Sequence, residues 1–371
     1  MPKNTDLTKI GVLTGGGDCP GLNAVIRAVV KTAVSEYDIE AVGILDGYDG
    51  LVRDRMIPLS YDDVSGILTT GGTILGSSNT ANPFRYYPPE DENAKPVDRS
   101  AECVENARKA GIDVLVCIGG DGTLSIAEHL QQKGLDCVGV PKTIDNDVCG
   151  TDVTFGFDTA VQIVTDAVDR LHTTAQSHHR VMVVETMGRY TGWLALVGGM
   201  AGGGDIILIP EIEYDLETVY EAIHQRGEMG RRFSIVVVAE GVKASGGEYV
   251  MRDHVEESHD PVRLGGIGVW LADAIEHATD IESRATVLGH LQRGGTPTAR
   301  DRVLATRFGR EAMVLAADSN FGCTVALQSE EIVTVPLEEV ADRQRKVDPE
   351  GQLVKTARSV GTVFGDEGNL G

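Results

Sequence analysis

The chain has few of the features that mark secreted, zinc-binding or membrane proteins. Six cysteines occur in 371 residues without a C-x-x-C pair or a histidine-rich partner, which argues against a disulfide framework and a zinc site. No apolar run approaches the about 18 residues that a membrane helix needs, and residues 1–9 lack the apolar core of a signal peptide. We therefore expect a protein of the reducing cytoplasm.

Positive charge is scarce. The 33 lysines and arginines are outnumbered by 56 acidic residues, which leaves a net charge of −23. Such a chain repels nucleic acid and anionic membranes, and an anionic substrate then depends on a local pocket of basic side chains. The composition therefore predicts neither a nucleic-acid partner nor a membrane partner.

Short apolar runs rich in β-branched residues recur along the chain. Runs of this length without polar alternation are typical of strands buried on both faces of a parallel sheet. They cover residues 10–13, 41–45, 114–118, 137–140, 181–184, 206–209, 235–239 and 285–288. Helical patterns lie between many of them, such as the apolar stripe from Val25 to Val34. The alternation predicts an α/β fold of mostly parallel, doubly wound sheets, and the length favours two interleaved lobes.

Glycine and charged residues are concentrated where these strands end. Open parallel sheets bind ligands beyond the carboxyl ends of their strands. The segments found there are TGGGDCPG (14–21), GGDGT (119–123), PKTIDND (141–147), ETMGR (185–189), PE (210–211), EG (240–241) and GHLQRGG (289–295). The strand ends therefore carry nearly all of the chemistry that the sequence offers.

The first glycine segment, residues 15–21, lies between a strand and an amphipathic helix. Backbone N–H groups at such a place bind anions such as phosphate. The segment is not a Walker A loop, because Leu22 and Asn23 stand where Lys and Ser/Thr are required, and Pro20 breaks the dinucleotide-binding pattern. A tight turn without a ligand is the alternative interpretation.

The second glycine segment adds a carboxylate, Asp121. Mg²⁺ that bridges phosphate oxygens takes carboxylate ligands, so Asp121 is a candidate metal ligand. The alternative is that Asp121 caps the following helix. Because Thr123 could cap that helix equally well, we favour the metal role.

The segment PKTIDND holds two carboxylates, Asp145 and Asp147. In an extended segment these side chains point to the same side, so that one accepts a hydroxyl proton while the other orients the substrate or the base. A turn rich in Asx residues is the alternative, but it leaves Lys142 and Thr143 unexplained.

Basic residues flank the strands of the second half of the chain. Guanidinium groups suit bidentate phosphate binding, although a surface salt bridge is the alternative for any one of them. The basic residues are Arg180, Arg189, Arg284, His290 and Arg293. Glu240 ends a strand and could accept hydrogen bonds from sugar hydroxyls. A diphosphate pocket with Mg²⁺, a carboxylate base and a second basic pocket together predict a kinase that acts on a phosphate ester.

Six segments, in this order between about residues 10 and 310, resemble the 6-phosphofructokinase family. They are GGGDCPGLNAVIR, GGDGT, PKTIDND, GFDTA (156–160), MGRYTG (187–192) and GHLQRGG. The resemblance implies transfer of the γ-phosphoryl group of MgATP to the 1-hydroxyl of fructose 6-phosphate, in glycolysis. It implies a donor lobe of residues 1–156 and about 292–345, a sugar lobe of residues 157–291 and about 346–371, and an active site in the cleft between them.

The resemblance also implies roles for individual residues. Asp145 is the base, with Thr143 and Asp147 beside it, Arg189 contacts both substrates, and Asp121 holds Mg²⁺. The nucleotide contacts are Gly17, Gly120, Asp121, Gly122 and Thr123. The sugar phosphate contacts are Thr143, Asp145, Asp147, Arg180, Met187, Gly188, Arg189, Glu240, Arg284, His290 and Arg293. Because Arg180 and Arg284 match positions that reach a neighbouring subunit's site, a homotetramer is implied.

The identity of the phosphoryl donor is marked by two residues that disagree. Gly122 is typical of members that use ATP, whereas Lys142 is typical of members that use pyrophosphate, so a pyrophosphate-dependent enzyme stays open as the alternative. Asn79 stands where the family often has an arginine that contacts phosphate, and Arg85 could supply the missing charge. An NAD or lipid kinase and a non-catalytic sugar-phosphate sensor are weaker alternatives.

The allosteric pocket of the bacterial family members is only half matched. Arg27, Lys31 and Arg231 are basic as that pocket requires. The positions of Tyr61, His172 and Met229 usually hold basic side chains. Losing three cations removes several charge-assisted hydrogen bonds, so we expect weak or absent control by ADP and phosphoenolpyruvate.

Overall fold

The computed structural model describes residues 5–88, 95–243, 251–254 and 262–366, which fall into two compact units. Of the described residues, unit 1 contains those up to Asp158 together with Arg293–Gln344, and unit 2 contains those between Thr159 and Gln292 together with those from Arg345 onward. The chain therefore crosses between the units more than once. No helix among the described residues is long and apolar enough to cross a membrane.

Strands and helices alternate through most of the chain, which confirms the α/β class. The strands are β1 (Lys9–Thr14), β2 (Glu40–Ile44), β3 (Met56–Leu59), β4 (Val114–Gly119), β5 (Cys137–Thr143), β6 (Phe155–Gly156), β7 (Val181–Thr186), β8 (Ile206–Leu208), β9 (Ser234–Ala239), β10 (Met251–His254), β11 (Val262–Leu264), β12 (Ser283–Val287), β13 (Cys323–Gln328) and β14 (Glu331–Pro336). The helices are α1 (Leu22–Thr32), α2 (Tyr48–Val52), α3 (Ser100–Lys109), α4 (Asp121–Gln132), α5 (Phe157–His178), α6 (Trp193–Gly202), α7 (Leu216–Glu228), α8 (Ile267–Thr279), α9 (Ala299–Ala317), α10 (Leu337–Val340) and α11 (Gln352–Ser359).

The sheet of unit 1 has the strand order β14-β13-β5-β4-β1-β2-β3, with β6 paired to β5. Its central strands are parallel and β3 and β14 are antiparallel edges. The side chains of β4 are all buried, as expected for a strand that helices cover on both faces. The three central strands β5, β4 and β1 are neighbours, so the segments that follow them emerge at one edge.

Unit 2 is built on a four-stranded parallel sheet with the order β12-β7-β9-β8. Val363 continues this sheet by pairing in parallel with Ile206. Strands β7 and β9 are wholly buried and form the centre of an apolar cluster, to which Val347 and Phe364 from the end of the chain contribute. The final segment of the chain is therefore part of the core of unit 2.

All eight strands that the sequence predicts are present, as β1, β2, β4, β5, β7, β8, β9 and β12. The edge strands β3 and β14 are not among the predicted strands, because most of their side chains are partly or fully exposed and leave no continuous apolar run. Strand β13 is almost wholly buried and was missed as well. The apolar stripe from Val25 to Val34 predicts one continuous α-helix, but the α-helix ends before Val34. Helix α1 ends at Thr32, a π-helical turn follows over Ala33–Tyr37, and Val34 is only half-buried.

Candidate active site

Three segments of unit 1 meet at the carboxyl ends of β1, β4 and β5. In the parallel register Thr14 lies opposite Ile118, and Gly119 lies opposite Pro141. The N–H of Gly15 donates to the carbonyl of Ile118 at 2.9 Å, which joins the first glycine segment to the second. The sheet therefore brings residues 15–21, 119–123 and 142–147 to one edge. We call this group of segments the donor site, after the role that the resemblance implies for it.

Thr123 packs the two glycine segments together. A Cβ at Gly15 would lie 2.6 Å from its hydroxyl oxygen, and a Cβ at Gly119 would lie 2.2 Å from its Cβ, so neither position has room for a side chain. The residue that caps α4 is Gly120, whose own Cβ would lie 3.4 Å from the carbonyl of Lys142. The alternative in which Asp121 caps this helix is therefore wrong, and Gly122 lies one residue farther into the first turn.

Two cations converge on Gly17. The ammonium group of Lys142 donates to the carbonyl of Gly17, and a Cβ at Gly17 would lie only 1.9 Å from Nη1 of Arg293. Lys142 is 4% exposed, and its burial, followed by the nearby charge of Arg293, lowers its pKa. Arg293 thus lies at the donor site of unit 1, although the resemblance assigns it to the sugar phosphate.

The carboxylates that follow β5 are arranged by a turn. Asn146 has a left-handed backbone with φ 54°, and its side-chain oxygen accepts the N–H of Thr154 at 3.0 Å. The Thr154 hydroxyl in turn donates to the carbonyl of Thr143 at 2.7 Å. The expectation of an extended segment is therefore wrong: β5 ends at Thr143, and the left-handed residue turns the chain between Asp145 and Asp147.

The donor site concentrates negative charge at Asp147. Burial, followed by the charges of Asp145 and then Asp121, raises the pKa of Asp147 to about 8. The Asp121 carboxylate accepts a hydrogen bond from Nε2 of Gln344 at 3.3 Å. Within the described part of the chain, no cluster of three or more His, Cys, Asp or Glu side chains is placed to hold a metal ion.

Asn79 and Arg85 differ in their relation to the donor site. The N–H of Gly16 donates to the carbonyl of Ser78 at 3.1 Å, so the exposed Asn79 is next to a residue that contacts the glycine segment. Arg85 is exposed and donates to the hydroxyl of Tyr87 at 3.0 Å. The segment that carries Asn79 is therefore held at the donor site by a backbone hydrogen bond.

The strand ends of unit 2 form a second group of polar segments, which we call the sugar site after the role that the resemblance implies for them. The N–H of Glu240 donates to the carbonyl of Thr186 at 2.9 Å, and the N–H of Gly241 donates to the carbonyl of Gly188 at 3.1 Å. A Cβ at Gly241 would lie 1.8 Å from the carbonyl oxygen of Arg189, so only glycine permits this approach. The structure therefore brings Glu240 to the segment that holds Met187, Gly188 and Arg189.

Gln292 joins the same segment to the end of β12. It is fully buried, its side-chain oxygen accepts the N–H of Met187 at 3.3 Å, and its Nε2 donates to the carbonyl of Gly289 at 3.0 Å. His290, on the turn between them, is exposed. An exposed imidazole on a turn that a buried amide holds in place is available to a ligand.

Arg180 and Arg284 lie away from the sugar site. Arg180 precedes β7 and Arg284 stands near the start of β12, whereas Met187 and His290 follow the other ends of these strands. Arg180 pairs with Glu282 at 2.6 Å, and Arg284 pairs with Glu276 at 2.8 Å and Glu282 at 2.7 Å. Within this chain, both arginines form the surface salt bridges that the sequence left open as the alternative.

Two carboxylates of unit 2 have roles that the sequence did not reveal. Glu185 is 2% exposed and accepts the N–H groups of Gly266 at 3.1 Å and Gly268 at 2.8 Å, at the start of α8. Glu211 accepts the N–H groups of Gly192 and Val347. Both residues occur in the polar segments at strand ends, which marks them as candidate site residues. Their hydrogen-bond partners could not be predicted, because they lie 19 to 136 residues away along the chain.

Known proteins resemble this chain over most of its length. The family model described as Phosphofructokinase matches residues 9–316. The ATP-dependent 6-phosphofructokinase 2 of Clostridium perfringens is 52% identical over 363 residues, covering 97% of this chain and 99% of that protein. The pyrophosphate–fructose 6-phosphate 1-phosphotransferase of Streptomyces coelicolor is 50% identical over 358 residues, covering 96% and 100%.

A solved structure shares the fold. Phosphofructokinase from Saccharomyces cerevisiae matches with a TM-score of 0.77 and 31% identity, over 90% of this chain. The match covers 45% of the yeast chain, so the present chain spans less than half of that length.

Proposed function

We propose that this chain, which belongs to the phosphofructokinase family, transfers the γ-phosphoryl group of MgATP to the 1-hydroxyl of fructose 6-phosphate. The observation that carries the proposal is the donor site, where Gly17, Asp121 and Asp145 follow three neighbouring parallel strands. Phosphoryl transfer to an alcohol requires anchored phosphates and a base beside them. The name of the ATP-dependent relative supports this reaction, and the name of the pyrophosphate-dependent relative supports fructose 6-phosphate as the acceptor.

The chain's own residues supply the base. Asp145 takes the proton of the sugar hydroxyl, and the Thr143 hydroxyl fixes its backbone by accepting the Asp145 N–H at 3.0 Å. Without a bound cation, burial and the charges of Asp145 and Asp121 raise the pKa of Asp147 to about 8, so the protonated carboxyl group can donate a hydrogen bond to the base. A positioned base contributes roughly 10²–10⁴-fold to such a reaction.

Mg²⁺ fits the donor site through Asp121. Mg²⁺ commonly binds one or two carboxylates together with substrate phosphates, so a large protein cluster is not required. The raised pKa of Asp147, caused in part by Asp145 and Asp121, marks a concentration of negative charge that a divalent cation relieves. Bound Mg²⁺ would neutralise the phosphates of the donor while Asp121 holds it.

The sugar site supplies the contacts to fructose 6-phosphate. Met187, Gly188 and Arg189 lie on the segment that Gln292 and Gly241 hold in place, and Glu240 is hydrogen-bonded to the same strand end. Glu240 accepts hydrogen bonds from the sugar hydroxyls, and the exposed His290 binds the phosphate group of the sugar. Arg189 contacts both substrates and stabilises the transferring group as a guanidinium does.

ATP is the proposed donor, and pyrophosphate is the alternative. Gly122 leaves the first turn of α4 without a second carboxylate, which favours a nucleotide. Two observations favour pyrophosphate: Lys142 is typical of family members that use it, and a pyrophosphate-dependent relative is 50% identical to this chain. The test is a steady-state comparison of MgATP and magnesium pyrophosphate at saturating fructose 6-phosphate. The proposal expects a higher kcat/KM with ATP than with pyrophosphate. A protein that forms product with pyrophosphate but not with ATP would overturn the choice of donor.

A homotetramer completes the proposal. Arg180 and Arg284 lie at the strand ends opposite to the sugar site of their own chain, so the substrate role that the resemblance implies requires them to reach the site of a neighbouring copy. Sedimentation velocity measures the assembly, and we expect Arg284→Ala to raise the KM for fructose 6-phosphate.

The cysteines of the chain are free, as is usual for proteins of the reducing cytoplasm, which we propose as the location of this enzyme.

Allosteric control by ADP and phosphoenolpyruvate is proposed to be weak. Lys31, one of the basic residues kept in this region, donates to the hydroxyl of Ser65 at 3.0 Å and lies 3.5 Å from the ring centre of Tyr61. These contacts give the ammonium group two partners within the chain. A titration of the rate against fructose 6-phosphate is expected to be hyperbolic with or without ADP, and a sigmoidal curve that ADP straightens would contradict this.

A further inference from the structure

Glu211 touches the segment that carries Arg189. Its side-chain oxygens accept the N–H of Gly192 at 3.1 and 3.0 Å, and Oε1 also accepts the N–H of Val347 at 2.9 Å. Its burial raises its pKa, as expected for a carboxyl group removed from water. One carboxylate therefore joins the segment 187–192, which we call the arginine loop, to the C-terminal part of unit 2.

The position of Glu211 suits an acceptor of this kind. Gly192 caps α6, whose first N–H groups have no partner within the helix, and a negative charge is favourable there. A Cβ at Gly192 would lie 2.3 Å from the Cβ of Ile209, so the loop approaches the end of β8 as closely as glycine allows. Glu211, two residues after Ile209, is thereby brought to the end of the arginine loop.

The contact with the C-terminal segment does not depend on Glu211 alone. The indole N–H of Trp193 donates to the carbonyl of Arg345 at 3.0 Å, and the Arg345 guanidinium lies 4.2 Å from the centre of the indole ring. Val347 is 3% exposed and belongs to the apolar cluster of unit 2. The end of the arginine loop is therefore fastened to a part of the chain that the core holds in place.

We propose that Glu211 is a positioning residue that sets the place of Arg189 by fixing the end of the arginine loop against the C-terminal segment. The start of the loop is fixed by Gln292 through Met187, and its middle is fixed by Gly241 through Gly188. Glu211 supplies the third attachment. This inference rests on the proposed function, because the consequence for catalysis follows from the role of Arg189.

The test compares three variants of Glu211 with a matched buried carboxylate. Asp205 precedes β8 as Glu211 follows it, its pKa is also raised by burial, and it bonds Arg226 at 2.7 Å and the N–H of Ile235 at 2.8 Å. None of these partners belongs to the arginine loop. Asp205→Asn is therefore the matched control for Glu211→Gln, and Asp205→Ala is the matched control for Glu211→Ala.

Glu211→Ala is expected to lower kcat/KM for fructose 6-phosphate about tenfold to a hundredfold, because small displacements of a positioning contact are costly. Glu211→Gln, which keeps an acceptor oxygen, is expected to recover most of the activity. Asp205→Asn is expected to stay within about threefold of the parent at a comparable melting temperature. If Glu211→Ala does not fold, Glu211→Asp, whose carboxylate is one methylene shorter, takes its place and is expected to lose activity beyond the Asp205→Asn control.

A second readout does not need the enzyme assay. Amide hydrogen exchange of the full chain is expected to be faster in residues 187–193 of Glu211→Ala than in the same residues of Asp205→Ala. Equal exchange in this segment, or equal kcat/KM in the two variants, would overturn the positioning role. If the parent protein does not phosphorylate fructose 6-phosphate at all, the proposed function fails, and hydrogen exchange alone then decides whether Glu211 holds the loop.

Discussion

Thr143 and Asp145 are joined by a hydrogen bond in which the backbone N–H of Asp145 donates to the Thr143 hydroxyl oxygen at 3.0 Å. The Thr143 side chain also forms a hydrogen bond with Asp147. This bond lowers the pKa of Asp147, but burial raises it by more, so the net shift is upward. One hydroxyl group therefore contacts both residues whose carboxylates follow β5. The spacing of the proposed base from its neighbour depends on this contact.

Replacing Thr143 by Val is expected to lower kcat about tenfold, because the hydroxyl is lost while the shape is retained, and one hydrogen bond contributes roughly 0.5–1.5 kcal/mol. Thr143→Ser keeps the hydroxyl and serves as the control, with kcat within about threefold of the parent. Steady-state kinetics with both substrates measures the effect. Equal activity of the Val and Ser variants would show that the hydroxyl group does not matter.

Gly17→Ala is expected to raise the KM for the phosphoryl donor, because its Cβ would lie 1.9 Å from Nη1 of Arg293 and must displace that guanidinium. Gly227→Ala in α7 is the matched control, since a Cβ there meets nothing within 4 Å and an alanine favours a helix. Kinetics and thermal melting of both variants separate a local effect from general destabilisation. An unchanged donor KM in Gly17→Ala would contradict the close contact with Arg293.

Asp147→Asn is expected to change how stability depends on pH. The carboxyl group ionises near its ordinary pKa of 3.8 in the unfolded chain and near 8 in the folded protein. Between these values the unfolded chain releases a proton that the folded protein keeps, so the group's contribution to stability is lost as the pH rises towards 8. The free energy of unfolding of the variant, relative to the parent, should therefore increase from pH 5 to pH 8.

Urea unfolding at both pH values, in buffer with a chelator in place of Mg²⁺, measures this difference. Asp145→Asn is a useful comparison, because it removes one of the charges that raise the pKa of Asp147 and should shrink the pH dependence. A difference between parent and Asp147→Asn that does not vary with pH would show that Asp147 ionises normally.

Gly122→Asp is expected to weaken the use of ATP more than that of pyrophosphate. The new carboxylate enters the first turn of α4 next to Asp121 and repels the α-phosphate of ATP, a group that pyrophosphate lacks. The measurement is the ratio of kcat/KM for the two donors, with Gly122→Asn as the control for size without charge. A ratio that moves equally in the Asp and Asn variants would assign the effect to bulk instead of charge.

Much of the fold follows from the local pattern of the sequence. The runs that form β4, β7 and β9 are wholly buried, and such strands lack polar alternation, so their positions could be predicted. Edge strands such as β14 could not, because half-exposed residues leave no continuous apolar run. The turn that joins β13 to β14 consists of Ser329 and Glu330, both with positive φ. Such turns usually contain glycine or asparagine, so the sequence gives no signal of this hairpin.

The site is predictable in its chemistry and less so in its geometry. The grouping of Asp121 and Asp145 at neighbouring strand ends follows from the rule for parallel sheets. The left-handed backbone of Asn146 depends on a hydrogen bond to Thr154, eight residues along the chain, and an extended segment was expected in its place. Contacts such as Glu211 with Val347 span 136 residues and leave no local pattern in the sequence.

The central claim is that the carboxylate of Asp145 removes the proton from the 1-hydroxyl of fructose 6-phosphate. The most direct measurement is the rate at which Asp145→Asn forms fructose 1,6-bisphosphate from MgATP and fructose 6-phosphate, together with its affinity for the sugar by calorimetry. We expect kcat to fall by roughly 10²–10⁴-fold while the sugar still binds with nearly the parent affinity. A variant that turns over at the parent rate would contradict the account.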